Sequence, residues 1–278
     1  MAQVPVGFYT DTSVCIGCKA CQVACHQWND LPADLAEQPG ENTPGRTRPL
    51  SGASYDNTGS LTDNNWRHVK FIEQFPDTRA ADAGRWLMMS DCCKHCVRAG
   101  CLEVCPTGAI IRTEYDTVYI QQDVCNGCRN CVAGCPFGVV AMDHVSGTAK
   151  KCTLCYDRLQ NGLTPACAQA CPTGSILFGD VQDLLPRARA RVDQLHSQGR
   201  TAAYLYGDNP DIVGGLNVFY LLEDKPEVYG LPSNPRLPSR NLWPSSGLSI
   251  LTAAIIAVGA FLNFRSRRLP RPSANQNT

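Results

Sequence analysis

Short apolar runs separated by turn residues predict two β-hairpins in the first half of the chain. The runs 109–112 and 117–120 flank Tyr115-Asp116, which are typical turn residues. The runs 66–73 and 85–89 predict the second hairpin in the same way. The pattern therefore indicates small sheets in this half.

The second half of the chain has a different pattern. Residues 181–198 have helical periodicity despite Pro186, and residues 216–223 predict a further strand. Residues 231–244 contain four prolines and predict an extended linker, and residues 33–65, rich in Pro, Gly, Asn, Asp, Ser and Thr, predict a long irregular loop. Long loops of this kind are usually functional or disordered.

An uncharged apolar stretch, residues 247–264, follows the linker and predicts a membrane-spanning helix. At 1.5 Å per residue its eighteen residues span roughly 27 Å, close to the hydrocarbon thickness of a bilayer. Trp243 precedes it as an interfacial anchor, and Arg265, Arg267 and Arg268 follow it. A buried core helix is the alternative, but a terminal position after a proline-rich segment disfavours it. We therefore assign residues 245–265 to a transmembrane helix and residues 266–278 to a tail.

The cysteines change this picture most, because sixteen of the 17 fall into four quartets. Two quartets share the spacing C-x2-C-x2-C-x3-C, namely Cys15, Cys18, Cys21, Cys25 and Cys125, Cys128, Cys131, Cys135. Two others have a longer middle gap, namely Cys93, Cys96, Cys101, Cys105 and Cys152, Cys155, Cys167, Cys171. A proline follows the last cysteine in every quartet except the first, where His26 stands instead.

This spacing is the ligand signature of cubane iron–sulfur clusters, in which the fourth cysteine of a run serves the other cluster of a pair. Four quartets predict four [4Fe–4S] clusters and a role in electron transfer. We expect the fourth cysteine to begin a helix whose first turn accommodates the proline; His26 weakens that argument after Cys25. Structural zinc sites and a disulfide framework remain as weaker alternatives. Cys92 is the spare cysteine, expected to be a small buried hydrophobic residue.

The order of the quartets predicts one ferredoxin-like unit inserted within another. The predicted fold class is α+β, with two interleaved bacterial-type 2[4Fe–4S] ferredoxin-like units and a C-terminal transmembrane helix. The predicted segments are an outer unit (1–32 with 146–180), an insertion loop and hairpin (33–89), an inner unit (90–145), and a C-terminal extension and linker (181–244).

Composition excludes some other functions. The 25 basic and 25 acidic residues give a net charge of zero, so nothing indicates nucleic acid as a partner. Residues 1–15 have neither a basic region nor an apolar run, so no signal peptide is expected. No phosphate-binding loop or dinucleotide fingerprint is present.

Stretches outside the cysteines resemble one family. Cys15 to Cys25 followed by Trp28-Asn29-Asp30, the segments 54–59 and 66–71, and the run from Val218 to Pro232 resemble the iron–sulfur (beta) subunit of membrane-bound formate dehydrogenases. The cluster motifs alone are shared with the beta subunits of many molybdopterin oxidoreductases and some hydrogenases. The other stretches and the terminal helix favour formate dehydrogenase.

The resemblance implies a crossed set of ligands. In the outer unit one cluster takes Cys15, Cys18, Cys21 and Cys171, and its partner takes Cys25, Cys152, Cys155 and Cys167. In the inner unit one cluster takes Cys93, Cys96, Cys101 and Cys135, and the other takes Cys105, Cys125, Cys128 and Cys131.

The resemblance also implies a role in a complex. The chain would not be catalytic alone; it would relay electrons from a formate-oxidising molybdenum or tungsten pterin subunit to a membrane cytochrome b subunit and quinone. The alternatives are the same role with a thiosulfate, polysulfide or dimethyl sulfoxide reductase or a hydrogenase, and a free-standing membrane-tethered polyferredoxin. The long loop and the linker disfavour a general carrier, which needs no segments that wrap a partner.

Charged residues beside the cysteines have two interpretations. Lys19, Lys94, Arg129, Lys150 and Lys151 could raise cluster potentials, but we expect most of them to be solvated charges. The histidines, His26, His68, His95, His144 and His196, are expected to lie at the surface or behind the ligands rather than to be ligands.

The arginines around the span predict its orientation. Arg265, Arg267, Arg268 and Arg271 follow it, whereas Arg236 and Arg240 precede it. The positive-inside rule then places the C-terminus in the cytoplasm and the cluster domain on the extracytoplasmic face. A domain without its own signal would be exported with a partner that carries a twin-arginine signal.

Overall fold

The computed structural model describes residues 4–32, 55–56, 58–75 and 84–268. It divides into two units, Met1–Leu237 and Pro238–Thr278. The strands of the first unit are β1 (Val6–Asp11), β2 (Arg67–Gln74), β3 (Arg85–Cys92), β4 (Ile110–Arg112), β5 (Val118–Ile120), β6 (Ala141–Met142), β7 (Ala149–Lys150), β8 (Ile176–Asp180), β9 (Tyr204–Tyr206) and β10 (Val218–Leu222). Its α-helices are α1 (Ala20–Trp28), α2 (Gly100–Glu103), α3 (Asn130–Gly134), α4 (Tyr156–Gln160), α5 (Ala166–Gln169) and α6 (Val181–Ser197), and α7 (Leu242–Arg268) belongs to the second unit.

A four-stranded sheet of order β8-β1-β10-β9 joins the two ends of the first unit. Its two central strands, β1 and β10, are parallel and pair Phe8 with Val218, whereas each outer strand is antiparallel to its neighbour. Alternate residues of β10 enter different cores: Phe219 packs with α6, and Tyr220 packs with the cysteines. The sheet therefore separates a helix-covered face from the face that holds the chemistry.

Both predicted hairpins are confirmed. Strands β2 and β3 pair antiparallel over their full length, from Arg67 opposite Cys92 to Gln74 opposite Arg85. Strands β4 and β5 pair around the turn at Asp116, whose φ of 59° is left-handed. The predicted helix is present as α6, with Pro186 inside it and the Asp180 side chain capping its first turn. The sequence analysis missed β1, β8, β9 and the small β6–β7 hairpin.

The expected helix starts at the fourth cysteines are wrong. Short helices instead begin just before the third cysteine, and Cys135 stands at the C-terminal end of α3. Pro106, Pro136 and Pro172 each lie in a turn that follows such a helix. In the turns at Pro136 and Pro172 a glycine N–H donates to the carbonyl of the fourth cysteine, at 3.2 Å and 3.3 Å. Proline therefore stops these helices, as is common just beyond a C-terminal cap.

Helix α1 shows the converse. Because His26 rather than proline follows Cys25, nothing stops the helix there, and it continues to Trp28. Helix α1 packs against α5, and α2 packs against α3, so the short cysteine-bearing helices form two pairs.

The expected irregular loop lies partly outside the described residues. Residues 33–54 are not described, and residues 55–56 and 58–65 form no helix or strand. The expected extended linker over 231–244 is partly wrong, because Pro238–Asn241 forms a 3-10 helix and α7 begins at Leu242. Prolines fit here because Pro238 and Pro244 occupy first turns, where a missing N–H removes no helical hydrogen bond.

Helix α7 contains the one segment within the described residues that is long and apolar enough to cross a membrane. This segment, Ser245–Ser266, has 22 residues, a mean hydropathy of 2.0 and no part buried within the protein. Two hydroxyl groups within this segment bond inside the helix: Ser249 and Thr252 each donate at 2.9 Å to the carbonyl four residues earlier. This arrangement suits a bilayer, where unpaired polar groups are costly. The side chains of Trp243, Arg267, Arg268 and Arg271 lie outside the described residues.

Candidate metal centres

Two cysteine loops adopt the same backbone conformation. Gly17 and Gly127 have φ of 67° and 70°, and Lys19 and Arg129, two residues later, have φ of 60° and 67°. A side chain on Gly127 would place its Cβ 2.2 Å from the carbonyl oxygen of Gly147, so only glycine fits. Each loop turns the chain around a cavity and then enters a short helix that carries the third cysteine.

The first cavity brings together Cys15, Cys18, Cys21 and Cys171, with about 290 Å³ of empty space and an almost wholly apolar lining. Burial raises the pKa of Cys15, and the neighbouring charges of Cys21, Cys171 and Cys18 raise it further. The fourth cysteine of the last quartet therefore lies beside the first three cysteines of the chain.

A second group combines Cys25 with cysteines of the last quartet. Burial, followed by the charges of Cys167 and Cys155, raises the pKa of Cys25 well above its ordinary value. Cys152 approaches the same region, because the guanidinium of Arg67 lies close to both Cys167 and Cys152. The backbone N–H of Leu154 donates to the Cys152 sulfur at 3.4 Å.

The inner cysteines form two further groups. Burial, followed by Cys93, Cys135 and Cys101, raises the pKa of Cys96 well above its ordinary value. Cys105, Cys125, Cys128 and Cys131 line a cavity with about 300 Å³ of empty space.

The last of these groups can stabilise thiolate. Burial alone would raise the pKa of Cys105, but the Thr107 hydroxyl and the backbone N–H groups of Ile110, Thr107 and Ala109 lower it. The Ala149 N–H approaches the Cys125 sulfur at 3.5 Å. Hydrogen bonds to sulfur of this kind are among the factors that set cluster potentials.

The donor set fits a cubane cluster. Within the part of the chain that the structure describes, no three Cys, His, Asp or Glu side chains are arranged to hold a single metal ion. Eight of the thiols instead line two cavities, and thiolate is the soft ligand that iron–sulfur clusters select.

Two of the five cations flagged in the sequence are buried rather than solvated. Lys94 and Lys151 are 1% and 3% exposed, whereas Arg129 is exposed and Lys19 and Lys150 are partly exposed. The ammonium of Lys151 contacts the carbonyl oxygens of Val118 and Cys152. Burial alone would lower its pKa, but Cys93, Cys101, Cys152 and Cys135 raise it. Lys151 is therefore a cation between cysteines of the outer and inner quartets.

Asp91 is the buried acceptor for Lys94. Its carboxylate contacts the ammonium of Lys94, receives that of Lys70 at 2.9 Å and accepts the Tyr220 hydroxyl at 3.2 Å. Burial alone would raise the pKa of Asp91, but Lys94 and Lys70 hold it well below its usual range. The carboxylate thus neutralises a cation placed between two ligand candidates.

Two histidines are buried behind the cysteines. His95 accepts the Val118 N–H on Nδ1 at 3.1 Å, so its proton is on Nε2. Burial, Lys151 and Arg112 lower the pKa of His95 well below its ordinary value, which keeps the ring neutral. His68 is 1% exposed and lies 3.5 Å from Asp56. His144 and His196 are exposed and His26 is partly exposed.

The sequence analysis missed Arg67 and underestimated Cys92. Arg67 is 2% exposed and donates to the Ser90 hydroxyl at 2.9 Å and to the Cys92 sulfur at 3.2 Å. Cys92 is buried as expected, but it is hydrogen-bonded rather than only packed. The available signal was an arginine at the start of a predicted strand, opposite the spare cysteine of the predicted hairpin.

Comparison with protein families agrees with the cysteine pattern. Two profiles described as "4Fe-4S dicluster domain" match residues 84–181 and residues 14–109. Together they contain all four quartets and show that the chain holds [4Fe–4S] clusters.

Comparison with curated proteins gives relatives over most of the chain. The nitrate-inducible formate dehydrogenase iron-sulfur subunit of Escherichia coli is 39% identical over 259 residues, 91% of this chain and 82% of that protein. The formate dehydrogenase iron-sulfur subunit of Haemophilus influenzae is 41% identical over 87% of this chain and 73% of its own length. A component polypeptide of the E. coli anaerobic dimethyl sulfoxide reductase is 31% identical over 64% of this chain and 75% of its own length.

Proposed function

We propose that this chain, which belongs to the family of formate dehydrogenase iron–sulfur subunits, conducts electrons from a formate-oxidising subunit through four [4Fe–4S] clusters to a membrane acceptor. The convergence of sixteen cysteines into four groups carries this proposal. The formate dehydrogenase relative aligns over 91% of the chain and the dimethyl sulfoxide reductase relative over 64%, which favours formate as the source of electrons.

The proposed ligands follow the crossed scheme. One outer cluster takes Cys15, Cys18, Cys21 and Cys171, and the other takes Cys25, Cys152, Cys155 and Cys167. One inner cluster takes Cys93, Cys96, Cys101 and Cys135, and the other takes Cys105, Cys125, Cys128 and Cys131. The proximity of the thiols within these groups supports the scheme, and so does the proposed division into interleaved outer (1–32 with 146–180) and inner (90–145) units.

The clusters supply one-electron redox chemistry, and the residues of the chain set the conditions for it. The thiols hold each cluster, and apolar side chains such as Val69 and Ile176 limit water around the first cavity. The buried ammonium of Lys151 stabilises the negative charge that a neighbouring cluster of the outer or the inner unit gains on reduction. Backbone N–H groups near Cys105 and Cys125 stabilise the reduced cluster proposed for Cys105, Cys125, Cys128 and Cys131.

The proposed partners follow from this role. The chain is not catalytic alone; a molybdenum or tungsten pterin subunit oxidises formate, and a cytochrome b subunit accepts the electrons for quinone. The helix Ser245–Ser266 anchors the chain in the bilayer by a single pass and could contact the cytochrome. A histidine ligand for haem would come from the partner, because the span contains none.

Co-purification tests the proposed function. The chain is affinity-tagged in its native host and extracted from membranes with a mild detergent. We expect a molybdenum or tungsten pterin subunit to accompany it, and we expect the complex to reduce quinone with formate. Recovery with a different molybdopterin reductase, or without any catalytic subunit, would contradict the assignment.

Adjacent cysteines provide a test of the ligand scheme. Loaded protein should contain about sixteen irons, four for each [4Fe–4S] cluster. Cys92→Ser should keep all four clusters, whereas Cys93→Ser should perturb the cluster proposed for Cys93, Cys96, Cys101 and Cys135. Iron analysis and low-temperature electron paramagnetic resonance (EPR) of both variants measure this. Equal iron loss in the two variants would refute the scheme.

The orientation in the membrane is a separate proposal. Four arginines after the span (Arg265, Arg267, Arg268, Arg271), against Arg236 and Arg240 before it, favour a cytoplasmic C-terminus. The cluster domain would then face outward, after export with a partner that carries a twin-arginine signal.

Protease treatment tests this orientation. In right-side-out spheroplasts we expect protease to digest the cluster domain and to spare the C-terminal tail. Complete protection of the cluster domain before lysis, with digestion afterwards, would reverse the orientation without affecting the electron-transfer role.

A further inference from the structure

Arg67 is a buried cation that no cluster motif includes. It opens β2, is 2% exposed and stacks its guanidinium over the Phe8 ring, 5.0 Å from the ring centroid. Its strand partner Cys92 and the nearby Ser90 both lie on β3, so the hairpin fixes the three side chains together.

One arm of the guanidinium leads to the first cavity. Nη1 donates to the Ser90 hydroxyl at 2.9 Å, and that hydroxyl lies 3.1 Å from the Cys21 sulfur. Because the Ser90 oxygen accepts from Arg67, its own proton is free for the sulfur. Arg67 and Ser90 therefore form a directed path to a ligand of the first outer cluster.

The other arm leads to the second group. Nη2 donates to the Cys92 sulfur at 3.2 Å. The Cys92 thiol donates to the carbonyl oxygen of Cys93 at 3.4 Å, and its sulfur is a close neighbour of Cys152. Cys152 is a proposed ligand of the second outer cluster. The same guanidinium therefore reaches both clusters of the outer pair.

The third guanidinium nitrogen of Arg67, Nε, is buried and has no hydrogen-bond partner among the described residues. Cys167, Cys92, Cys21 and Cys152 are the thiols whose charges act most strongly on this guanidinium. A buried donor of this kind is normally satisfied, and inorganic sulfide of a bound cluster is a suitable acceptor.

We propose that Arg67 is a positioning residue that bridges the two clusters of the outer unit and raises the reduction potentials of both. The proposal rests on the proposed function, since it requires the crossed ligands. One electron leaves the first cluster, which is oxidised, and enters the second, which is reduced; no bond or proton is transferred. A fixed cation between them stabilises whichever cluster carries the extra negative charge, so neither reduced state becomes a barrier.

Redox titration of the intact, membrane-purified complex, followed by EPR, tests this bridge. Arg67→Gln removes the charge and should lower both outer potentials enough to change the reduced-to-oxidised ratio at least tenfold at a fixed potential, about 59 mV for one electron. Arg67→Lys keeps the positive charge but loses the paired hydrogen bonds from Nη1 and Nη2. Both outer potentials should therefore fall less than in Arg67→Gln. Arg189→Gln, an exposed arginine, is the matched control and should change neither.

The two hydrogen-bond paths from Arg67, through Ser90 and through Cys92, can be removed separately by substitution. Ser90→Ala should lower the potential of the cluster bound by Cys21 alone, and Cys92→Ala should lower that of the cluster bound by Cys152 alone. If Arg67→Gln loses iron, the reduction potentials of Ser90→Ala and Cys92→Ala test the bridge in its place. Unchanged potentials in Arg67→Gln with full iron content, or in both arm variants, would overturn the bridge.

The outcome is distinguishable from failure of the proposed function. Wild-type complex with fewer than four clusters, or with Cys21 and Cys152 on one cluster, would refute the ligand scheme first. Full iron and crossed ligation with potentials insensitive to Arg67 would refute only the bridge.

Discussion

Replacement of Cys171 by alanine is expected to remove the cluster held by Cys15, Cys18 and Cys21, although those cysteines lie at the opposite end of the ferredoxin-like sequence. Cys171 lines the same cavity as those three thiols. Without the fourth thiolate one iron loses its protein ligand, and the cluster is lost or converts to a form with fewer irons. Since a chain of clusters conducts only when each is present, we expect formate-dependent quinone reduction to fall to background.

Iron analysis, EPR and quinone reduction on the purified complex measure this effect. Cys92→Ser is the matched control for iron content, because it changes a buried cysteine that is not a proposed ligand and should keep all four clusters. Earlier loss of the neighbouring cluster, proposed for Cys155 and Cys167, would show that Cys171 is not crossed.

Asp91→Asn is expected to destabilise the cluster domain by about 3–5 kcal/mol, the usual cost of breaking a buried ion pair from one side. The substitution leaves the ammonium of Lys94 buried without its carboxylate, and Lys94 has no route to solvent. The folded-state pKa of Asp91 is depressed, so its contribution is present above the unfolded pKa of about 3.9 and is lost as pH falls toward the folded value. Near neutral pH the full effect should be seen.

Thermal unfolding and the rate of iron release from the purified complex measure this loss of stability. Asp123→Asn changes an exposed aspartate and should leave both unchanged. Asp91→Asn combined with Lys94→Met should recover much of the loss, because the fully buried ammonium is removed with its carboxylate. Lys70, the other partner of Asp91, is partly exposed and still donates to the Tyr229 carbonyl oxygen. Equal stability of Asp91→Asn and wild type would show that the pair is not important for folding.

The sequence predicts local features of this fold well. The hairpins β2–β3 and β4–β5 and the helix α6 follow from apolar runs and turn residues that lie close together. The cysteine spacings identify the clusters, because that chemistry fixes both residue type and separation. These features depend on neighbours along the chain.

Long-range pairing was not visible in the sequence. Strand β1 is short, and its partner lies far away in the sequence, since Phe8 pairs with Val218. The local pattern of residues therefore did not reveal this strand. The burial of Lys94 was missed although Asp91 lies only three residues before it, because no local pattern shows that this pair is buried. The burial of Lys151 was missed because the thiols of Cys93, Cys101 and Cys135 meet it only in the folded state. Arg67 looked like an ordinary strand residue because its partners lie on β3.

The direction of the short helices shows how a correct motif can be misinterpreted. Proline is compatible with a helix start and with the segment just beyond a helix end. The structure has the second arrangement at Pro136, since Cys135 stands at the C-terminal end of α3. The ligand pattern was independent of this choice, so the assignment of the cysteines is unaffected.

Reduction of the clusters by formate in the intact complex tests the central claim most directly. The oxidised complex is mixed anaerobically with formate, frozen at successive times and examined by EPR, before and after addition of quinone. The account predicts that reduced [4Fe–4S] signals of this chain appear with formate, within the time of one turnover, and disappear when quinone is added. Clusters that dithionite reduces but formate leaves oxidised, while quinone reduction continues, would contradict it.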